Sequence, residues 1–327
     1  MNNNTLCLHP YSPDLSDEWN QLVAASRNGS FLFDRRFMDY HQHRFTDCSL
    51  LFSKGNRFIA CLPANYEADA HTVCSHRGLT FGGLVVRDDA YAGDVLAIYD
   101  LLTSHYRRQL QARTLIVKPI PHIYHRLAAE EELYALFRHG ARLIARGLSS
   151  TIPLNHPLPL RESRMSGVRK ALSRGVTIAA TTDPDDVLQF WNLLDNCLAR
   201  GHNVRPVHSP VEMLLLMERF PSQVTLHVAR HEDGHLLAGT WVFHSRQVVH
   251  TQYMAASDEG KRHGALDLLV ATLINDEVRA TDTSPRYFDF GISTEQGGQY
   301  LNQGLAFQKE GFGGRAVCYD HWALSLQ

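Results

Sequence analysis

Residues 248–279 read VVHTQYMAASDEGKRHGALDLLVATLINDEVR, and the hydrophobic pattern changes its period within this stretch. The largely apolar residues 248–254 predict a strand, and the glycine-containing residues 258–264 predict a loop. From Ala265 to about Arg279, apolar residues recur every three or four positions, which predicts a helix. These residues are Leu266, Leu269, Val270, Leu273 and Ile274. A strand, a loop and a helix in this order are typical of an α+β domain.

The loop of this unit combines glycines with basic residues at the start of a helix. Glycines there let backbone N–H groups approach an anion closely, and the helix dipole and basic side chains add positive charge. We therefore predict a site that could bind a pyrophosphate group. It comprises Lys261, Arg262, His263, Gly264 and Ala265. The same spacing is also compatible with an ordinary exposed turn.

The predicted elements around this stretch occur in a similar order in both halves of the chain. The second half has predicted helices at 183–200 and 211–219 and strands at 224–230, 236–243 and 287–290. The first half has predicted helices at 14–26, 31–44, 90–110 and 130–137, and strands at 49–52, 58–65, 73–75 and 114–117. This order predicts two like domains, 1–150 and 151–327. Two unrelated α+β domains are the alternative.

A proline-rich segment separates the two halves. Residues 148–160 contain Pro153, Pro157 and Pro159, and prolines this dense are incompatible with a helix or a central strand. We therefore predict a linker at this position. A short basic run follows it and holds Arg161, Arg164, Arg169, Lys170 and Arg174.

Polar residues that could carry out chemistry follow the strand predicted at 287–290. A loop at the end of a strand is a common position for an active site. Glu295 could take a proton from an attacking amine, and Tyr300 could return one to a leaving thiolate. Lys309 could stabilise developing negative charge. In the alternative interpretation, the charged residues of this segment form structural ion pairs that shape its turns.

Four further residues are candidates for binding the acceptor. Asp289 and Gln296 belong to the same segment, and His76 and Arg77 lie in the first half at the position that corresponds to it. His76 and Arg77 could contact an anionic acceptor. They could equally be solvated residues of a turn.

The composition limits the class of protein. The 327 residues are 44% hydrophobic and 20% charged, with a formal net charge of −2, which favours an ordinary globular protein and gives no support to DNA binding. The six cysteines are scattered, as expected in a reducing compartment. We find neither a signal-peptide pattern nor a run of about 18 apolar residues. A cytoplasmic protein without a membrane span is therefore expected.

The sequence contains no pattern for metal, nucleotide or nucleophile chemistry. It has 19 histidines, but neither an HExxH motif nor paired CxxC motifs, so no metal site is predicted. A GxSxG motif, a phosphate-binding P-loop and a dinucleotide fingerprint are also absent. Hydrolase, kinase and dehydrogenase functions therefore lack support.

Taken together, these motifs resemble the GNAT-like domain of the Fem-type peptidoglycan aminoacyltransferase superfamily. In the second half the resemblance is carried by Arg169–Ala171, Gly175–Val176, Leu237–Gly239, Gly264–Leu269, Phe288–Glu295 and Phe307–Gly313. In the first half it is carried by Leu62–Asn65 and Ser75–Gly83. The resemblance covers nearly the whole chain.

The resemblance implies an α+β protein of two tandem GNAT-like domains, each a mixed, mostly antiparallel sheet flanked by helices. It implies that the second domain binds acetyl-CoA or another acyl-CoA, with no metal. The acceptor would be a small-molecule amine, on a nucleotide-linked amino sugar or another cell-envelope precursor. The protein would be a monomer or a homodimer.

Two alternatives to acyl-CoA chemistry remain open. Residues 261–266, KRHGAL, depart from the Gln/Arg-x-x-Gly-x-Gly/Ala donor motif of GNAT enzymes, so a Fem-type donor, aminoacyl-tRNA, is one alternative. A tRNA donor would favour a long basic helical arm, which the sequence lacks, so tRNA is not the expected partner. The other alternative is a pair of GNAT domains that binds ligands without catalysis.

Overall fold

The strand and the helix predicted within 248–279 are both present in a computed structural model, which describes residues 5–202, 204–279 and 286–327. The strand is Val248–Ala256 and the helix is Ala265–Arg279. The predicted loop between them is wrong, because Asp258–His263 form a short helix. The Ser257 hydroxyl caps this helix by accepting from the Gly260 N–H at 2.9 Å, an arrangement that stabilises a first helical turn.

The chain divides into two compact units. One contains residues 1–148, 294–300 and 318–327, and the other contains 149–293 and 301–317. The division near residue 148 lies close to the boundary predicted at 150. The first unit also contains two short segments from the C-terminal part of the chain. A prediction with one boundary cannot include them.

The first unit is built from short strands and four α-helices among its described residues. In chain order its elements are β1 (Leu6–Pro10), α1 (Ser16–Ala25), α2 (Arg35–Met38), β2 (Thr46–Asp47), β3 (Leu50–Lys54), β4 (Arg57–Leu62), β5 (Asn65–Glu67), β6 (Thr72–Cys74), β7 (Val85–Val86), α3 (Ala92–Gln109), β8 (Thr114–Val117) and α4 (Glu131–Arg138). One antiparallel sheet has the order β1-β3-β4-β7. A second series has the order β8-β6-β5-β2. Leu50, Tyr99, Leu102 and Leu115 belong to the core of this unit.

The second unit contains the elements that position the candidate site. After β9 (Arg142–Pro153), which begins in the first unit, come α5 (Glu162–Ser173), β10 (Thr177–Thr181), α6 (Pro184–His202), α7 (Pro210–Arg219), β11 (Val224–Arg230), β12 (Leu236–His244), β13 (Val248–Ala256), α8 (Asp258–His263), α9 (Ala265–Arg279) and β14 (Tyr287–Ile292). The remaining elements of the chain are β15 (Thr294–Glu295), β16 (Tyr300–Leu301), α10 (Gln303–Glu310) and β17 (Arg315–Ser325). Of these, α10 belongs to the second unit and β15 to the first, whereas β16 and β17 each have residues in both.

The sheet of the second unit has the strand order β10-β11-β12-β13-β14-β9. Its neighbours are antiparallel except β13 and β14, which are parallel. Apolar side chains on one face pack with α9 and include Val242, Val249 and Phe288. On the other face, the Phe190 ring of α6 lies against Gly239, where a Cβ atom would meet the ring at 2.5 Å.

Two further predictions of secondary structure are wrong. The helix predicted at 31–44 is broken into short pieces, because Asp34 is extended and its side chain starts a new turn by accepting from the Arg36 N–H at 2.9 Å. The linker predicted at 148–160 is partly strand, because β9 runs to Pro153. Pro153 is the last residue of the ladder and lies opposite Tyr287, a position that strands tolerate. Strands β1, β10 and β17 were not predicted.

Candidate functional site

The two parallel strands of the second unit separate part of the way along their length. The ladder of β13 and β14 joins Val248–His250 to Tyr287–Asp289 and then ends, although β13 continues to Ala256 and β14 to Ile292. On its other side, β13 has an irregularity in register where β12 passes from Trp241 to Val242. Bulges of this kind bend a strand away from its neighbour. The separated strands leave main-chain groups that can bind an extended ligand.

A histidine and an aspartate form a buried pair where the ladder ends. His250 Nδ1 lies 2.8 Å from Asp289 Oδ2, and the Asp289 side chain is 0% exposed. The other carboxylate oxygen accepts from the hydroxyls of Ser149 at 2.5 Å and Thr151 at 2.8 Å. A buried carboxylate is stable only when such partners replace its hydration. Ser149 and Thr151 of β9 therefore hold the Asp289 carboxyl group in place beside His250.

This arrangement sets the orientation of the His250 ring. Because the carboxylate accepts, Nδ1 carries the proton and Nε2 is left with a free electron pair. Gly291 lies beside the ring, and a Cβ atom at that position would come within 3.2 Å of His250 Cε1. Glycine at 291, with φ +73°, therefore leaves the edge of the ring uncovered. The pair has the geometry of a general base held by an acid.

Lys309 lies in the same part of the unit, although it does not bind Asp289 directly. It is 4% exposed, and Nζ donates to the carbonyls of Gly291 and Ile292, each at 2.8 Å. Burial lowers the pKa of Lys309 to about 8, against the attraction of Asp289. The side chain fixes the end of β14 and places a cation near the buried pair.

Two buried hydroxyl groups line the separated strands without a partner among the described residues. They are Thr251 Oγ1, directly after His250, and Ser293 Oγ, directly after β14. Buried polar atoms nearly always have a hydrogen-bond partner in folded proteins. A ligand or water bound between the strands would supply one.

An aromatic surface adjoins His250 on the face that α6 covers. His250 lies opposite Phe243 in the β12–β13 ladder, so the two side chains project to the same face. The Phe243 ring contacts Trp241 at 4.9 Å between centroids, and Trp241 contacts His208 at 5.1 Å. His208 follows α6 and binds the Tyr253 hydroxyl through Nδ1 at 2.9 Å. These rings form a rigid wall beside the imidazole.

The structure separates the residues predicted to bind the donor. Lys261 and Arg262 are exposed on α8, whereas Gly264 and Ala265 are buried at the start of α9. His263 is half-buried, and its Nδ1 atom is buried without a partner among the described residues. Lys261 lines a cavity of about 260 Å³, together with Asn196, Arg200 and Ser257. Lys261 therefore faces an open volume.

The first turn of α9 is covered by α5. Gly264 adopts φ +73°, and its Cα lies so close to the Gly167 carbonyl of α5 that a Cβ atom would collide with it. Asp267 in the same turn binds Arg164 of α5 at 2.6 Å. A carboxylate and a neighbouring helix therefore occupy the helix start that was predicted to bind an anion.

The residues predicted to act in catalysis belong to different parts of the chain. Glu295 and Tyr300 are exposed and belong to segment 294–300 of the first unit, on the small β15–β16 ladder. Gln296 lies between them, exposed, with φ +53°. Lys309 and Asp289 belong to the second unit. Of these five residues, Asp289 lies at the end of the β13–β14 ladder, and Lys309 Nζ donates to the carbonyl of Gly291 on β14.

The two candidates of the first half differ in their surroundings. His76 is 3% exposed, with φ +62°. Burial and the neighbouring His41 lower its pKa to about 3. Arg77 is exposed and binds Glu67 through Nε at 2.6 Å. Their predicted role in binding an acceptor stays a prediction.

Sequence reasoning missed His250, Ser149 and Thr151. His250 lies within the apolar stretch VVHTQYMAA, where a histidine is most simply a satisfied core residue. The available signal was a polar side chain at the centre of two apolar strands, since Asp289 also lies between Phe288 and Phe290. The register of the two strands, which no local pattern reveals, brings them together.

The comparisons with known proteins agree with this geometry. Residues 161–300 match the family model of the acetyltransferase (GNAT) domain. No curated protein sequence matches the chain.

Solved structures with a similar fold cover nearly the whole chain. FemX is 12% identical and aligns over 98% of this chain and 97% of its own, with a TM-score of 0.69. A tandem GNAT protein from the clavulanic acid biosynthesis pathway is 12% identical over 99% of both chains, with a TM-score of 0.55. L-PGS from Bacillus licheniformis is 13% identical over 98% of this chain and 93% of its own, with a TM-score of 0.59.

The chain therefore has a tandem-GNAT fold, and residues 161–300 match a GNAT acetyltransferase domain. The match to this domain supports an acyltransferase activity. The predicted α+β fold of two tandem GNAT-like domains is confirmed. Among the described residues, no helix combines the length and the apolar character needed to cross a bilayer.

Proposed function

We propose that the protein moves an acetyl group from acetyl-CoA to the amine of a small molecule in the cytoplasm. We further propose that the acceptor is an amino sugar, linked to a nucleotide, or another cell-envelope precursor. The match of residues 161–300 to the GNAT domain supports thioester chemistry of this kind. The acceptor class rests on the resemblance of the sequence to the Fem-type branch.

The observation that carries the proposal is the buried pair of His250 and Asp289, 2.8 Å apart. The amine nitrogen attacks the thioester carbonyl carbon, the C–S bond breaks, and CoA leaves as a thiolate. The amine proton passes to His250 Nε2, and the imidazolium then gives a proton to the thiolate, which regenerates the neutral base. Asp289 stabilises the imidazolium that forms meanwhile.

Separate surfaces of the second unit support the two substrates. The separated ends of β13 and β14 offer main-chain groups and the hydroxyls of Thr251 and Ser293 to the extended pantetheine arm of the donor. The acceptor would bind at the Nε2 edge of His250, and the buried side chains of Phe243, Trp241 and His208 on the same face hold the imidazole in place. Holding both substrates beside one base contributes much of the rate enhancement of an enzyme.

The other predicted residues keep their roles as proposals. Lys261, beside the 260 Å³ cavity, is a candidate for the phosphate groups of the donor, with Arg262, His263, Gly264 and Ala265 as the rest of that prediction. Glu295 and Tyr300 are candidates for proton transfer, and Lys309 for charge stabilisation. His76, Arg77 and Gln296 are candidates for holding the acceptor, whereas Asp289, predicted for the same role, is 0% exposed and is the partner of His250.

Aminoacyl transfer from tRNA is the second candidate, because FemX has a similar fold over 97% of its length. At 12% identity, this similarity supports a shared fold and not a shared activity. The most basic helix, α5, has twelve residues, and its Arg164 and Arg169 bind Asp267 and Glu162. A helix so short, with its arginines paired, gives little support to a tRNA-binding arm.

The test is acetyl transfer in the purified protein and in His250→Gln. We would first measure thermal unfolding with acetyl-CoA, since a ligand at 100 times its Kd stabilises by about 2.7 kcal/mol. We would then follow release of the CoA thiol with a panel of nucleotide-linked amino sugars. His250→Gln should lower kcat by about 10²- to 10⁴-fold, the usual contribution of a general base, with acetyl-CoA still bound.

His227→Gln is the matched control, because His227 is a half-buried histidine of the same sheet, on β11. This variant should keep its kcat. Full activity in His250→Gln would remove His250 from the mechanism. A protein that ignores acetyl-CoA but accepts an aminoacyl group from tRNA would support the second candidate.

A further inference from the structure

We infer that His231, Glu259 and His263 form a binding site for a divalent transition-metal ion, with Asp233 and His235 at its edge. The sequence analysis predicted no metal, because these residues match no familiar ligand spacing. The site is distinct from the pair of His250 and Asp289 and requires no part of the proposed reaction.

Two structural elements bring the ligands together. His231 and His235 close the turn between β11 and β12, where the His231 N–H donates to the His235 carbonyl at 3.0 Å. Glu259 and His263 lie on α8. They are four residues apart and therefore share one face of the helix. That face meets the turn.

The distances fit a single ion. His231, Glu259 and His263 each offer one ligand atom, and the three atoms lie within 4.8 Å of one another. The His231 ring lies 4.9 Å from the His235 ring and 5.7 Å from the His263 ring, between centroids. Small rotations of the side chains would bring nitrogens and a carboxylate oxygen to the 2.0–2.2 Å at which zinc is typically bound.

The edge of the site adds charge of the right sign. His235 Nε2 lies 3.2 Å from Glu259 Oε2, and His235 Nδ1 lies 2.5 Å from Asp233 Oδ1. Asp233 Oδ1 is also 3.3 Å from His231 Nδ1. Two carboxylates beside three imidazoles would neutralise a dication.

One ring nitrogen has no role within the protein itself. His263 Nδ1 is buried and has no hydrogen-bond partner among the described residues. Buried polar atoms without a partner are rare in folded proteins. Imidazole with carboxylate is a donor set that suits zinc, nickel and copper, whereas calcium and magnesium prefer oxygen alone. The chemistry of the cluster therefore selects a transition metal.

An ion at this position would join the β11–β12 turn to α8. Helix α8 leads directly into α9 and carries Lys261, which lines the cavity described above. The ion would fix the helix from which Lys261 projects. It would also keep the His263 imidazole neutral, so that His263 could not offer a positive charge to an anionic donor.

The test uses the full chain without an affinity tag of histidines. After treatment with EDTA and dialysis, we would titrate the protein with ZnCl₂ by calorimetry and count the bound zinc by elemental analysis. We expect a tight equivalent that is lost in the double variant H231Q/H263Q. The matched control is H43Q/H156Q, which removes two exposed histidines and should keep that equivalent.

Two further measurements make each outcome decisive. Circular dichroism would show whether H231Q/H263Q stays folded, and Glu259→Gln, a change at the helix surface, provides a second variant. The visible spectrum of bound Co²⁺ should show the strong bands of low coordination in the wild type and lose them in both variants. Equal zinc stoichiometry in the wild type and H231Q/H263Q, or binding that Mg²⁺ displaces, would overturn the proposal.

Discussion

At the scale of single residues, Lys309 makes stability depend on pH. Burial lowers its folded pKa to about 8, against an ordinary value of 10.5. The unfolded chain then binds the proton more tightly, so folded-state stability rises between these two values. We expect a gain on the order of 3 kcal/mol, since one pKa unit corresponds to about 1.4 kcal/mol. The Lys309→Met variant should lack this gain.

The measurement is urea unfolding of both proteins at several pH values between 8 and 10.5. Lost hydrogen bonds to Gly291 and Ile292 lower the stability of the variant at every pH, so the quantity to compare is the slope. Lys261→Met is the control, because Lys261 is exposed, and its slope should match the wild type. If stability rises equally steeply with pH in the wild type and in Lys309→Met, then burial does not lower the pKa of Lys309.

The sequence could predict those site residues whose signal lies within a short segment of the chain. Asp289 and Lys309 lie in segments rich in glycine and polar residues, a pattern visible without a fold. His250 lies in an apolar strand, and its partner Asp289 is 39 positions away. The contact depends on the register of two parallel strands. Parallel register follows from long-range packing, so the sequence alone could not predict it.

At the scale of elements, the junction of α8 and α9 depends on a glycine. Gly264 has φ +73°, and a Cβ atom there would collide with the Gly167 carbonyl of α5. Gly264→Ala should therefore lose about 1–2 kcal/mol through the left-handed backbone and about 1–3 kcal/mol through overpacking. Chemical denaturation would measure the loss.

Gly234→Ala separates the two causes. Gly234 also has a positive φ, +93°, but a Cβ atom there would meet nothing within 4 Å. This variant should lose only the backbone contribution, about 1–2 kcal/mol. Equal losses of stability in Gly264→Ala and Gly234→Ala would show that α5 moves to accommodate the added methyl group.

The elements differ in how well their patterns identify them. The helix at 265–279 and the strand at 114–117 have the predicted bounds, because their periodicity is uninterrupted. The region 31–44 has helical periodicity, yet the side chain of Asp34 redirects the backbone there. The cap at Ser257 turns a predicted loop into α8. Single capping interactions, each of about 1 kcal/mol, thus determine where these helices begin, which hydrophobic periodicity alone does not show.

At the scale of the whole molecule, buried and half-buried histidines make the fold sensitive to acid. Burial lowers the pKa of six of them: His76, His105, His125, His227, His244 and His321. Each binds a proton more weakly in the folded state than in the unfolded chain. Stability should therefore fall as pH drops below about 6.5, where the unfolded chain takes up protons first. Glu132 opposes this trend, because burial raises its pKa to about 7 and acid favours its folded form.

The variant H76N/H244N tests this balance. The pKa values of His76 and His244 fall to about 3 and about 4, so each should remove roughly 2 kcal/mol between pH 6.5 and 5. Asparagine tolerates the φ of +62° at position 76 and does not titrate. The urea midpoint of the variant should therefore fall less with acid than that of the wild type, whereas His156→Asn, at an exposed position, should follow the wild type. If all three proteins weaken equally, the acid sensitivity comes from groups other than these two histidines.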